Sequence, residues 1–281
     1  MNNFFEDILL LLPKITNHHI FGSSIYHSLD LEIKNYIKKI KTINGYKKIE
    51  FFNKNIKWPV RKFGNVSSND SFSLNQMIYY SFYYKHRNNY QIVADFGSHT
   101  GEDAIFMSMC GYRVYAYEPD KVSFKLLKKN VALNKCKKIT LINKAISNNQ
   151  ENLKFINVKG NTLANHVSNS REFYGDYSIQ NVQAEDFNKL KFKPDLMKIN
   201  IEGFEKKLIP IIKKTFWRNT DSFVELHGKD CAEVLLKYCK KLNLNIYSQK
   251  IAWNKAKKIK DLPLNWSEGC IFLTKKNKMR W

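Results

Sequence analysis

Two acidic residues, Asp95 and Glu118, each end a short apolar run, and 23 residues separate them. The first is followed by the loop Asp95-Phe96-Gly97-Ser98-His99-Thr100-Gly101. Its two glycines let the chain turn sharply and present backbone N–H groups to a ligand at a helix N-terminus. An acid about twenty residues further on is placed to accept hydrogen bonds from the hydroxyls of a ribose. The loop is no dinucleotide fingerprint. In G-x-G-x-x-G the second glycine admits a pyrophosphate, and here that position is His99. It also lacks the Gly-Lys-Ser/Thr end of a P-loop. The residues therefore point to a nucleoside cofactor without phosphate. Asp95 would suit a cofactor that carries a cationic amino group.

A second group lies further along the chain. Asn200 and Glu202 follow one apolar run, and Glu225 and His227 follow another. Such side chains can orient a hydroxyl and take its proton. An unperturbed histidine titrates near 6.5, so His227 could act near neutral pH. Plainer roles stand beside these. Glu202 could cap the following helix, Glu225 could pair with a lysine, and His227 could be a loop histidine before Gly228. His99 would shape its loop, and Glu185-Asp186 would either touch substrate or form a turn.

These residues need a scaffold that brings them to one edge. Apolar runs at 92–95, 114–117, 139–142, 196–199 and 223–226 read as strands. Helical spacing follows them at 102–110, 122–133 and 203–215, the last kinked by Pro210. Late strands at 245–247 and 270–274 would close an edge as a hairpin. Alternation of this kind predicts an α/β fold with a doubly wound, mostly parallel sheet, whose ligands sit beyond the carboxyl ends of its strands. Residues 86–281 would form this domain and 1–85 an N-terminal helical cap. The polar run 65–73 is the linker candidate. The polar stretch 159–178 would be a lid over the acceptor or an uninvolved surface loop.

The segments VADFGSHTG, YAYEPD, LMKINIEGFE and FVELHG, in this order and spacing, resemble the FkbM family of S-adenosylmethionine (SAM)-dependent methyltransferases. The resemblance runs from about Gln91 to Thr274. Its most specific part is the family pattern K-I-D-V-E-G-x-E, matched at Lys198, Ile199, Glu202, Gly203 and Glu205. It implies a Rossmann-like class I methyltransferase that transfers methyl groups to hydroxyls of sugars and similar metabolites. By that resemblance Asp95, Gly97, Ser98 and Gly101 would hold the methionine part of SAM. Glu118 would hold its ribose, and Asn143 and Ala145 would pass near the adenine. The family's aspartate is Asn200 here. An amide cannot act as a base and ligates metal weakly, so no metal is expected. Asn200 would orient the acceptor, with Glu202, Glu225 or His227 as the base.

Composition narrows the setting. No run of about 18 uncharged apolar residues occurs, so no membrane-spanning helix is expected. Phe4 to Leu12 is broken by Glu6 and Asp7 and does not read as a secretory signal. Five irregularly spaced cysteines suggest reduced thiols in a cytoplasmic protein, without zinc site or disulfide framework. The 47 basic and 25 acidic residues give +22. That surplus attracts polyanions, and it also accompanies a Lys-, Asn- and Ile-rich composition with solvated helix faces. Two further functions stay open. One is an RNA methyltransferase that stacks bases on Tyr79, Tyr80, Tyr83 and Tyr84 beside Lys85, His86 and Arg87. The other is an inactive interaction protein that keeps the SAM fold. Neither the acceptor nor the oligomeric state is specified.

Overall fold

The computed structural model describes residues 3–63, 66–172 and 175–281. The chain begins with helices α1 (Phe4–Leu11) and α2 (Ser24–Lys39). An antiparallel three-stranded meander follows: β1 (Thr42–Ile43), β2 (Tyr46–Phe51) and β3 (Lys54–Pro59). A short pair, β4 (Lys62–Phe63) and β5 (Val66–Ser67), leads to α3 (Leu74–Lys85). The N-terminal part is thus helical only in part. Its alternating strand β2 buries Lys47, Ile49 and Phe51 on one face. The linker candidate is no spacer: residues 68–72 form a 3₁₀ turn whose Phe72 is buried in the core, while Asn65 lies outside the described residues.

The main sheet starts at β6 (Ile92–Phe96), followed by α4 (Glu102–Met109), β7 (Arg113–Tyr117), α5 (Lys121–Leu133) and β8 (Ile139–Ile142). An insertion then folds as β9 (Ala145–Ser147), β10 (Asn152–Val158), β11 (His166–Val167) and β12 (Tyr177–Asp186). The chain returns through β13 (Leu196–Ile199), α6 (Glu205–Leu208), β14 (Asp221–Val224), α7 (Lys229–Leu242), β15 (Asn245–Ser248), β16 (Asn254–Lys255) and β17 (Ile271–Thr274). Pro210 falls in a 3₁₀ turn that ends the short α6.

The eight-stranded sheet has the order β16-β15-β17-β14-β13-β6-β7-β8. Its central strands pair in parallel, and β17 enters antiparallel between β14 and β15. This is the expected doubly wound α/β sheet. From β6 the chain winds outward through β7 and β8, then returns to lay β13 on the other side of β6. The crevice between the carboxyl ends of β6 and β13 is the switch point where such sheets bind ligands. Hydrophobic burial is split by the sheet. One core joins α3, α4 and α5 to the N-terminal helices and meander; the other joins α6 and α7 to the insertion. The insertion is a separate four-stranded sheet, β11-β10-β12-β9. The stretch 159–178, read as a lid or loop, links its strands and supplies β11; Phe173 and Tyr174 lie outside the described residues.

Candidate functional site

The loop between β6 and α4 is bent by Gly97 (φ +85°), His99 (φ +47°) and Gly101 (φ +95°). Gly97 is required by close approach: a Cβ there would lie 1.8 Å from the Asn200 carbonyl oxygen. Its amides are not free for a ligand as expected. Gly97 and Ser98 N–H both donate to the Tyr117 carbonyl, at 3.0 and 2.9 Å, and Gly101 N–H donates to Ser98 at 2.8 Å. The Ser98 hydroxyl donates to the Asp95 carbonyl. His99 N–H donates to one Glu118 carboxylate oxygen at 2.8 Å, and Asp120 N–H to the other at 2.8 Å. The loop and the acid at the end of β7 are therefore one unit. Burial pushes the Glu118 carboxyl up to about 8, against the pull of those two N–H groups.

Asp95 is fully buried, and neither carboxylate oxygen has a hydrogen-bond partner among the described residues. Lys198, in the middle of β13, lies 3.7 Å from Asp95 Oδ1 and 3.6 Å from Asp103 Oδ2. Burial drives the Asp95 carboxyl up to about 6, and the Lys198 ammonium holds it back. Burial also works against the Lys198 ammonium, but Asp95 and Asp103 outweigh it and raise its pKa. Gln76 of α3 donates to Asp103 at 2.8 Å, so the N-terminal part braces this group.

At the ends of β13 and β14 the second group converges. Asn200 Nδ2 donates to Glu225 at 3.1 Å, and Asn200 Oδ1 is buried without a partner among the described residues. Glu202, in the left-handed region (φ +54°), is paired with Arg171. His227 sits among three carboxylates: Nε2 is 3.4 Å from Glu202 and 3.7 Å from Glu225, and Nδ1 is 3.3 Å from Glu205. Burial lowers the imidazole pKa, but Glu202 and Glu205 outweigh burial and raise it well above the usual value. The carboxylates around it thus favour the protonated imidazole. That weighs against His227 and toward a carboxylate among the candidate bases. Burial tends to raise Glu202, but His227 and Arg171 hold it below the usual carboxylate range. Glu225 moves the other way: burial raises it more than His227 lowers it.

One cleft joins the two groups. Gly97, His99, Glu118, Ala145, Asn200 and Glu202 line it, together with Thr162, Leu163 and Val167 of the insertion. His99 Nε2 lies 3.0 Å from Thr162 Oγ1 across it. Asp95, Ser98, Gly101, Asn143, Glu225 and His227 are not among the residues that line it. Asn143 donates to the Glu118 and Pro119 carbonyls and fixes the turn after β7. Asp186 caps a turn at Asn188, while Glu185 pairs with Lys144. Among the described residues no group of His, Cys, Asp or Glu is arranged to hold a metal ion. Sequence reasoning gave no role to Lys198, Glu205 or Arg171. For Lys198 a signal existed: a lysine inside an apolar central strand must have buried partners. Arg171 carried none, because only the fold brings it to Glu202. Of the tyrosines offered for base stacking, Tyr79, Tyr80 and Tyr83 are buried core residues, while the half-buried Tyr84 is stacked on Phe52.

No curated protein matches the chain. Solved structures match at low identity. A ribosomal protein L11 methylase from Lactobacillus delbrueckii subsp. bulgaricus is 16% identical, over 70% of this chain and 75% of that one, with a TM-score of 0.40. M. jannaschii TYW2, in complex with AdoMet, is 12% identical, over 83% and 85%, at 0.39. Trm5b from Pyrococcus abyssi is 13% identical, over 73% and 50%, at 0.38, so the chain spans about half the length of that protein. The model of the methyltransferase FkbM domain matches residues 95–240, which run from the end of β6 through most of α7 and include Asp95, Glu118, Lys198, Asn200, Glu202, Glu225 and His227. That match spans just over half of the chain, and the protein belongs to the FkbM methyltransferase domain family.

Proposed function

We propose that the protein is a SAM-dependent O-methyltransferase acting on a hydroxyl of a sugar or glycan precursor. The observation that carries this reading is Asn200 Oδ1, a buried acceptor without a partner at the edge of the cleft that also holds Glu118. A buried amide oxygen without a donor is costly, and a substrate hydroxyl would satisfy it. The residues present fit SAM. The Glu118 carboxylate, fixed by two backbone N–H groups, keeps lone pairs for ribose hydroxyls. Pro119, Ala145 and Ile146 offer an apolar wall for a base. SAM would supply a methyl carbon made electrophilic by its sulfonium, so the leaving group needs no acid. Asn200 orients the acceptor hydroxyl through Oδ1 while its amide donates to Glu225. Glu225, made more basic by burial and bonded to Asn200, takes the proton by way of a water in the cleft, since it does not line the cleft itself. His227 and Arg171 keep Glu202 ionised and in place. Five unpaired cysteines suit a reducing compartment, and the proposal includes a cytoplasmic setting.

The test is methyl transfer in vitro. The protein with SAM and a panel of glycosides and glycan precursors should yield a product heavier than its acceptor by the mass of a single CH₂ unit, read by mass spectrometry. Transfer to RNA but to no glycan would overturn the acceptor class. SAM binding without transfer to any acceptor would leave an interaction protein.

A further inference from the structure

The opposite edge of the main sheet holds a second groove. It is lined where β6, β7 and β8 begin, by Gln91, Ile92, Arg113 and Ile139, and by the ends of the preceding segments. Four of its lining residues are cations: Arg87, Arg113, Lys137 and Lys138. All four are exposed, and none of the described residues lining the groove is acidic. The acids nearby are already engaged. Asp195 accepts from the Gln91 and Ile92 N–H groups at 2.9 and 3.0 Å. Asp221 is bonded to Tyr90 and Lys276. Arg87 is held in place over the Tyr84 ring, 4.1 Å from its centroid, and donates to the Tyr84 carbonyl at 2.7 Å. The cations come from three separate segments and meet only through the parallel register of the sheet.

We propose that this groove docks the phosphodiester backbone of an RNA strand, at a site separate from methyl transfer. A concave channel with cations on its walls matches a linear polyanion, whose charge is spread along its length. Two of the four cations are arginines, whose planar forks match phosphate oxygens. A membrane is a poorer fit. None of the large exposed hydrophobic residues lines the groove, so nothing there would enter a bilayer. The five-residue β6 sets the groove roughly 17 Å from the catalytic cleft at about 3.3 Å per residue. A small acceptor cannot touch both. The groove therefore tethers the enzyme to a polymer and does not select the hydroxyl. This inference does not depend on the acceptor proposed above.

The experiment measures anisotropy of a labelled single-stranded RNA oligomer at physiological salt. It compares the native chain with two fourfold variants. One carries Arg87→Gln, Arg113→Gln, Lys137→Gln and Lys138→Gln. The other removes the same charge from exposed residues that do not line the groove, as Lys214→Gln, Lys237→Gln, Lys240→Gln and Lys241→Gln. The groove variant should bind RNA at least tenfold more weakly, and its salt slope should fall by about 2–3, at roughly 0.7 for each phosphate no longer neutralised. The second variant should change binding less than threefold. SAM affinity should stay unchanged in both, which also reports that each is folded. Equal loss in both variants, or no RNA binding by the native chain, overturns the proposal. So does equal or tighter binding of dextran sulfate or of phosphatidylserine vesicles at the same site.

Discussion

At the scale of single residues, the site depends on how burial redistributes protons. Glu118 holds its proton up to about pH 8 in the free protein, because burial penalises its charge. Ribose hydroxyls donate to a carboxylate and so favour the ionised form. SAM should therefore bind more tightly as pH rises from 6 to 8 and level off above, with proton release visible as buffer-dependent enthalpy in calorimetry. Glu118→Ala should weaken SAM by about 1.5–3 kcal/mol for two lost hydrogen bonds. The same shift bears on stability. A carboxyl whose folded pKa lies above its unfolded value contributes stability at low pH and loses it as pH rises through the folded value. Glu118→Gln should thus raise Tm near pH 9 relative to the native chain and change it little near pH 5. For proton transfer the expected base is Glu225. Glu225→Gln should abolish the acidic limb of the pH–rate profile, whereas His227→Gln should lower turnover and keep that limb. Asn200→Ala should reduce kcat with little effect on SAM affinity. A limb that vanished with His227 instead would return the base role to the histidine.

At the scale of elements, the site is a meeting of turns. The loop after β6 touches the end of β13 so closely that position 97 admits no side chain. Gly97→Ala should destabilise the fold by about 3 kcal/mol or more, as left-handed strain alone costs roughly 1–2 kcal/mol and the close approach adds to it. Denaturant unfolding measures this, and an unchanged midpoint would mean the turn can open. The turn after β13 is fastened from the other side. The Ser170 hydroxyl donates to the Glu202 carbonyl at 3.0 Å, and Arg171 pairs with its carboxylate. Glu205 accepts from Ile201 and Gly203 N–H, each at 2.8 Å, and so closes the same turn. The insertion thereby fixes the Glu202 side of the cleft, and on the function proposed above a loop change there should alter acceptor KM before SAM affinity.

At the scale of the molecule, the N-terminal part and the sheet share one hydrophobic core. Tyr80 of α3 stacks on Phe106 of α4 with ring centroids 4.1 Å apart, and both are buried. Gln76 reaches Asp103 and through it Lys198. Tyr80→Ala should cost about 3–5 kcal/mol, and calorimetry should show one transition for the whole chain. Two separate transitions would show that the first 85 residues fold as an independent cap.

The strands of the main sheet were legible because each is a short apolar run between turns. Residues 139–142 and 196–199 coincide with β8 and β13. The antiparallel return of β17 was also legible, as a closing pair with β15. Such information is local, and alternation of strand and helix leaves few topologies. The meander at β1–β3 and the sheet of the insertion were not legible. Their strands set Lys, Asn and Gln among the apolar residues, and even in β2 the buried face includes Lys47, so no clean apolar alternation marks them. The placement of the candidate residues was legible, since Asp95, Glu118, Asn200, Glu202, Glu225 and His227 all lie at or just beyond strand ends. Their protonation was not. The raised pKa of His227 follows from three carboxylates brought within 3.7 Å by two strands and a turn. The basicity of Glu118 follows from burial beneath a loop 19 residues away. Sequence spacing fixes which residue types reach an edge, whereas dielectric and distance, which set their chemistry, exist only once the chain has packed.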